Sequence, residues 1–297
     1  MESEFFKKVI SRKLDLTNDE YHNSDEYKNY ISASGVKKLK KSPLHFKEEK
    51  TTETDAMTFG TAYHTFILEP ELFEKEIYVF NPLKRPEPDK TFGSKLNSSW
   101  KNNIYLQNET VISMDDFEQI KAMKERLFSH RYIRMLFRNG EAEKSIMSEC
   151  ITFEDKPIKI KIRPDYLKEK KRIIVDLKTT TDASELGFQK NAANLDYHIQ
   201  SALYKDIIEQ SDEKNLSWSF IFVAQEKTPP YAFGIYEASN QFISQGRYEY
   251  EQLIMLYQHC MESGKWLGYQ QFIENVYGIK EISLPVWAIR EVNWYSH

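Results

Sequence analysis

The apolar positions of this chain follow a helical period in its first half and change to a period of two near residue 140. From Ala56 to Leu68 the residues Phe59, Ala62, Tyr63, Phe66 and Ile67 recur at helical spacing, and Glu69-Pro70 marks the stop. His64 is thereby placed on a helix. A shorter helix is predicted through Leu39, capped by Ser32 or Ser34. Ser42-Pro43 ends it and starts another at Leu44, since proline breaks a helix interior but suits a first turn. Asp115 to Phe137 returns to helical spacing through Phe117, Ile120, Met123, Leu127 and Leu136, with Ser113 or Asp115 as cap. Residues 1–30 are polar and carry turn-like N-D-E clusters, so they read as an extended or loosely helical lead-in, with order beginning near Tyr30. Asn81 to Asn103, with Pro82, Pro86, Pro88 and Gly93, reads as one long loop that lines or gates a substrate path.

After Asn139-Gly140 the β-branched content rises. Ser145 to Phe153, Ile158 to Tyr166 and Arg172 to Leu177 read as three consecutive strands of an antiparallel meander. Asn191 to Gln210 is predicted to be one helix, with Leu195, Ile199, Ala202, Leu203 and Ile207 as its apolar stripe. Two further strands, Trp218 to Ala224 and Tyr231 to Tyr236, flank the Thr228-Pro229-Pro230 turn, and a long helix closes the pattern from Asn240 to Ser263. This order predicts an α/β (α+β) fold with a central mixed β-sheet flanked by helices. The expected division is a polar lead-in at 1–30, a mainly helical part carrying His64 at 31–140, a core at 141–265 and a C-terminal extension at 266–297.

Composition narrows the class without choosing a function. A net charge of -4 gives no overall attraction to a polyanion, so nucleic-acid binding would need local basic patches. Two such clusters occur, at Lys37, Lys38, Lys40 and Lys41 and at Lys168, Lys170, Lys171 and Arg172. Two cysteines, Cys150 and Cys260, make neither a disulfide framework nor a four-thiolate cluster, which points to a reducing compartment. With no signal-peptide core and no apolar stretch long enough to span a bilayer, the expected location is the cytoplasm.

The chemistry concentrates at two strand ends. Asp165 closes Arg163-Pro164-Asp165, while Asp176 and Lys178 flank Leu177 after the apolar run Ile173-Ile174-Val175. Residues two apart on a strand share a face, so Asp176 and Lys178 point the same way and Asp165 approaches from the neighbouring strand. Two carboxylates with the Leu177 carbonyl between them form the oxygen-rich site that Mg²⁺ prefers, with Mn²⁺ as a substitute. Phosphodiester hydrolysis uses such an ion to polarise the phosphoryl oxygen and to activate water. Lys178 would stabilise developing charge or act as a base, and spacing does not choose between the two.

The segments I-S-A-S-G-V-K-K-L-K-K-S-P (31–43), F-G-T-A-Y-H-T-F-I-L-E-P (59–70), A-E-K-S-I (142–146), R-P-D (163–165), V-D-L-K-T-T (175–180) and H-I-Q-S-A-L-Y (198–204) occur in this order. Together they resemble the PD-(D/E)XK nucleases with their restriction-endonuclease-like core, and within them the RecE-type (exodeoxyribonuclease VIII) and RecB-like phage recombination exonucleases. The resemblance implies a metal or phosphate role for His64, an outer carboxylate in Glu143, and a Q-x-x-x-Y element in Gln200 and Tyr204. It also implies 5′-3′ digestion of linear double-stranded DNA with free ends, a single-strand annealing protein as partner, a homo-oligomeric ring and a bacterial host cell. A structure-specific or restriction-like endonuclease, or a non-catalytic DNA-binding module on the same fold, remain as alternatives.

Overall fold

The computed structural model describes residues 5–50, 54–108, 110–211, 216–269 and 281–285. Among them eleven strands are β1 (Phe6–Leu14), β2 (Ile31–Ser32), β3 (Ile77–Phe80), β4 (Thr110–Ser113), β5 (Glu141–Ala142), β6 (Ser145–Thr152), β7 (Pro157–Ile162), β8 (Tyr166–Lys168), β9 (Ile173–Thr180), β10 (Ser219–Glu226) and β11 (Phe233–Glu237). The helices are α1 (Asn18–Asn23), α2 (Ala33–Lys41), α3 (Pro43–Glu48), α4 (Asp55–Leu68), α5 (Pro70–Glu76), α6 (Lys95–Gln107), α7 (Met114–Phe128), α8 (Arg131–Leu136), α9 (Glu185–Asn194), α10 (Tyr197–Ser211) and α11 (Asn240–Ser263).

A five-stranded mixed sheet, in the order β11-β10-β9-β8-β5, forms the centre. β9 and β10 are parallel and joined by α9 and α10, because a parallel pair needs a crossover; the remaining pairs are antiparallel. Both faces of the parallel pair are buried, so its apolar residues divide between two cores, with the polar ones gathered mainly toward the C-terminal ends of the strands. Ile174, Phe220, Phe222 and Ala224 face a core shared with α2, α9, α10 and α11. Val175, Leu177, Ile221 and Val223 face a second core made by α4, α7 and α8. The α/β expectation of a mixed sheet flanked by helices therefore holds.

Five details differ from the pattern-based expectations. The predicted meander is divided between two sheets, since β6 and β7 pair with β1 and β2 in a separate four-stranded sheet in the order β1-β6-β7-β2. Pro164 lacks the N–H that a continuing ladder requires, and Arg163–Asp165 becomes the corner where the chain leaves β7 for β8. Order also begins well before Tyr30. β1 runs antiparallel to β6, Phe5 and Phe6 enter the core, and Thr17 forms a capping box with Glu20 at α1. The Arg163 guanidinium anchors this segment by donating to Leu16 O at 3.0 Å and Thr17 O at 3.1 Å.

The predicted helix 191–210 is really α9 and α10, broken at Leu195-Asp196, where Asp196 adopts φ 55°. Likewise α7 stops at Phe128 and α8 follows at Arg131. The supposed loop 81–103 is shorter than proline content suggested, because Ser94 caps α6 and that helix begins at Lys95. Buried Asn97 then ties the preceding turn, accepting from Glu87 N at 2.9 Å and donating to the carbonyls of Glu87, Lys90 and Thr91. Beyond residue 269 the C-terminal extension lies largely outside the described residues.

Candidate metal centre

Asp176 and Lys178 stand on β9 on the face that carries Ile174, and α10 covers that face. Gln200 on α10 donates from Nε2 to Asp176 Oδ1 at 2.8 Å. Lys178 Nζ pairs with the buried Asp176 Oδ2 at 2.7 Å. Asp165 arrives from the corner rather than from a strand end. Its Oδ2 accepts the Leu177 N–H at 2.6 Å, a ladder position that β8 leaves open where Pro164 turns the chain.

His64 comes from the other side of the sheet on α4, held in place through its neighbour Tyr63. The Tyr63 hydroxyl donates to Gln225 Oε1 on β10, and Gln225 Nε2 donates to Met123 O of α7 at 2.9 Å. This places His64 Nδ1 3.5 Å from Asp165 Oδ2, with the Leu177 backbone as a second partner of the ring. Glu143 follows β5 at φ 48°, a left-handed conformation that costs a non-glycine residue on the order of 1 kcal/mol. Its N–H donates to Asp165 O at 3.1 Å, which holds the strained turn against the corner. The ligand atoms of His64, Glu143 and Asp165 all lie within 4.8 Å of one another.

The electrostatics follow from crowding three carboxylates in a buried place. Burial raises the Asp176 pKa to about 6 against the pull of Lys178, with Asp165 adding repulsion. Burial raises Asp165 as well, opposed by Lys178 and the Leu177 N–H, and it raises Glu143 strongly, helped by Asp165. Burial also works against the charge on Lys178, but Asp176 and Asp165 more than offset it and its pKa goes up. His64 is held down at about 4 by burial and then by Lys178, so near neutral pH its imidazole is uncharged and has a lone pair to give. Crowded buried carboxylates beside a neutral imidazole together fit a divalent cation.

Tyr204, four residues after Gln200, is placed differently from Gln200. Its ring is buried and its hydroxyl has the Arg163 backbone N–H as partner, so it braces the corner that presents Asp165. Sequence reasoning missed Tyr197, three residues before Gln200 on the same helix. Lys178 Nζ lies 5.0 Å from the centroid of its ring. The i−3 spacing from Gln200 was the available signal.

A second group, Asp196, His198 and Glu249, also has ligand atoms within 4.8 Å of one another. Lys40 Nζ already sits 2.6 Å from Asp196 and 2.7 Å from Glu249. Burial opposes the Glu249 charge, but hydrogen bonds from Lys40, Gln245 and His198 hold its pKa at about 2. This cluster is a clamp between α2, the α9–α10 break and α11. Gly246 lets those helices meet closely, since a Cβ there would fall 1.9 Å from His198 O. The basic turn 168–172 lies at the opposite end of β9 from Lys178.

The sequence profile of a family described as PDDEXK-like domain of unknown function (DUF3799) matches residues 32–274, most of the chain. The chain belongs to this family. A comparison with curated protein sequences finds no match. Among solved structures, this DUF3799 member is similar to a "putative exonuclease" from Eubacterium rectale, with 16% identity, a TM-score of 0.59, and coverage of 92% of this chain and 96% of that one. A structure of the protein SSO0001 matches at 18% identity over 66% of this chain and 86% of the other, with a TM-score of 0.29. The family description gives the PD-(D/E)XK-like fold, and the first likeness is one of fold alone. Among the described residues no helix is long and apolar enough to cross a membrane. The candidate centre is consistent with metal-assisted phosphodiester hydrolysis.

Proposed function

We propose that this chain is a Mg²⁺-dependent deoxyribonuclease acting as an exonuclease on linear double-stranded DNA. The observation that carries the proposal is the convergence of His64, Glu143 and Asp165, whose ligand atoms lie within 4.8 Å of one another, next to the Asp176–Lys178 pair. His64, Glu143, Asp165 and Asp176, with the Leu177 carbonyl, would hold the ion. When bound it supplies Lewis acidity toward a phosphoryl oxygen and lowers the pKa of water. Lys178, kept protonated by its two aspartates, stabilises charge that develops on the phosphate and acts as an electrostatic group rather than a base. Gln200 orients Asp176, and Tyr204 positions Asp165 by way of the Arg163 backbone.

The direction of digestion, 5′-3′, a RecE-type place in phage recombination with an annealing partner, a homo-oligomeric ring and the bacterial cytoplasm complete the proposal. They rest on the motif order and, for exonuclease action, on the description of the Eubacterium rectale protein. Purified protein incubated with linear and with covalently closed duplex DNA, in Mg²⁺ and in EDTA, tests it. Loss of linear DNA alone, and only with Mg²⁺, is expected. Cutting of closed circles would transfer the assignment to an endonuclease sharing the same metal centre.

A further inference from the structure

Lys37 stands beside the candidate centre without belonging to it. It lies half-buried on α2, where Nζ reaches Leu195 O at 3.3 Å. The same Nζ is 5.7 Å from the centroid of the Tyr197 ring, and Lys178 Nζ is 5.0 Å from that centroid, so one ring gathers two ammonium groups. Burial, and then repulsion from Lys178, lower the Lys37 pKa, with Asp176 and Asp196 pulling the other way. Among the described residues no carboxylate lies within 4.0 Å of Lys37, whereas on the same helix Lys40 holds Asp196 and Glu249 and Lys41 holds Glu49. A partly buried cation next to another cation is unfavourable unless something anionic completes the site.

Beyond Lys178 the end of β9 opens into a cleft of about 210 Å³ bordered by Thr179, Thr180, Asn191, Tyr197 and Lys227. Leu195, whose carbonyl holds Lys37, also borders it. The cleft has a mixed wall, in which Thr179, Thr180, Thr181, Asn191 and Lys227 offer polar groups between Phe188, Leu195 and Tyr197, and the Tyr197 ring connects it to Lys37 and Lys178. Such a wall suits a sugar-phosphate backbone.

We infer that Lys37 binds a second backbone phosphate of the strand being cut, adjacent to the phosphate held at Lys178, with the nucleotide between them entering the cleft beside Tyr197. The inference rests on the nuclease reading for the identity of the strand, but the phosphate contact can be measured without cleavage. Equilibrium binding of a fluorescent linear duplex is followed by anisotropy in EDTA from about 50 to 200 mM KCl for wild type, Lys37→Met, Lys37→Arg and Lys40→Met. Lys37→Met is expected to weaken binding by about tenfold and to make the slope of log K against log salt shallower by about one, the signature of one lost phosphate contact. Lys37→Arg keeps the wild-type slope. Lys40→Met, which opens the Asp196–Glu249 clamp, lowers thermal stability and leaves the slope alone.

With Mg²⁺ present, Lys37→Met raises KM and leaves kcat within about twofold, as expected for a contact made equally in ground and transition states. An unchanged slope and KM in Lys37→Met overturns the inference and leaves the nuclease reading intact. A fall in kcat with wild-type slope and KM overturns it too, because Lys37 would then act only through the fold. A Lys37-dependent slope in a protein that cleaves no DNA in Mg²⁺ or Mn²⁺ sinks the nuclease reading and keeps the phosphate site.

Discussion

Replacing Asp176 by asparagine should abolish the activity and yet stabilise the metal-free protein. The carboxyl is fully buried, and its pKa stands at about 6 against an ordinary 3.8. That difference corresponds to about 3 kcal/mol of disfavour for the ionised form in the fold, the attraction of Lys178 being already included. The folded protein holds this proton more tightly than the unfolded chain does. The cost is therefore absent below about pH 4, grows as pH rises, and is complete above about pH 6. Asparagine has the same shape and no charge. Both neighbours of the carboxylate are donors, so the new amide needs Gln200 to turn and present its oxygen, a rotation that costs little.

In EDTA near pH 7.5, Asp176→Asn is expected to gain up to about 3 kcal/mol, or roughly 5 °C in Tm for a chain of this length. The gain should shrink toward zero as pH falls to 4. Added Mg²⁺ should raise the Tm of the wild type more than that of the variant, because a cation that binds only the folded state stabilises it by mass action. Thermal and urea denaturation across this pH range, with and without Mg²⁺, provide the measurement. A destabilised Asp176→Asn, or one that digests linear DNA at the wild-type rate, would refute the reasoning about burial and repulsion at this centre.

His64→Ala removes a neutral ligand beside Asp165, and the Mg²⁺ concentration for half-maximal activity should rise by about 10–100-fold, read from a metal titration of the digestion rate. Metal binding must displace the proton from a carboxyl of pKa about 6, so the Mg²⁺-induced rise in Tm should grow as pH increases from 5 to 7; a pH-independent rise would count against Asp176 as a ligand. Tyr204→Phe leaves the Arg163 N–H without its phenol partner and should cost about 1–3 kcal/mol in urea unfolding, with kcat falling more than KM rises because Asp165 is displaced. Asn97→Ala unties the turn before α6 and should expose residues 85–94 to limited proteolysis while the central sheet stays protected in hydrogen exchange.

Helix and strand identities were largely legible wherever period and capping chemistry agreed. α4, α11 and the β10–β11 hairpin fall nearly where the apolar spacing put them, and Ser42-Pro43 both ends α2 and caps α3. The failures share a cause. Asp196 in a left-handed conformation and the lysine clamp on it break what the apolar stripe presented as one helix, because the stripe continues across the break. β1 looked polar because several of its residues alternate outward, and its partner β6 lies more than a hundred residues away.

The residue types and local order, V-D-L-K after an apolar strand, R-P-D before it, and a histidine on a helix, belong to the sequence alone, since strand pleat and helix period depend only on near neighbours. Only the tertiary structure decided that the corner at Pro164 lends Asp165 to the Leu177 N–H, that Glu143 after β5 and His64 on α4 reach the same point, and that Lys37 shares a ring with Lys178. Those relations arise where two sheets and three helices pack together, and long-range packing, unlike periodicity, leaves no local pattern in a single chain.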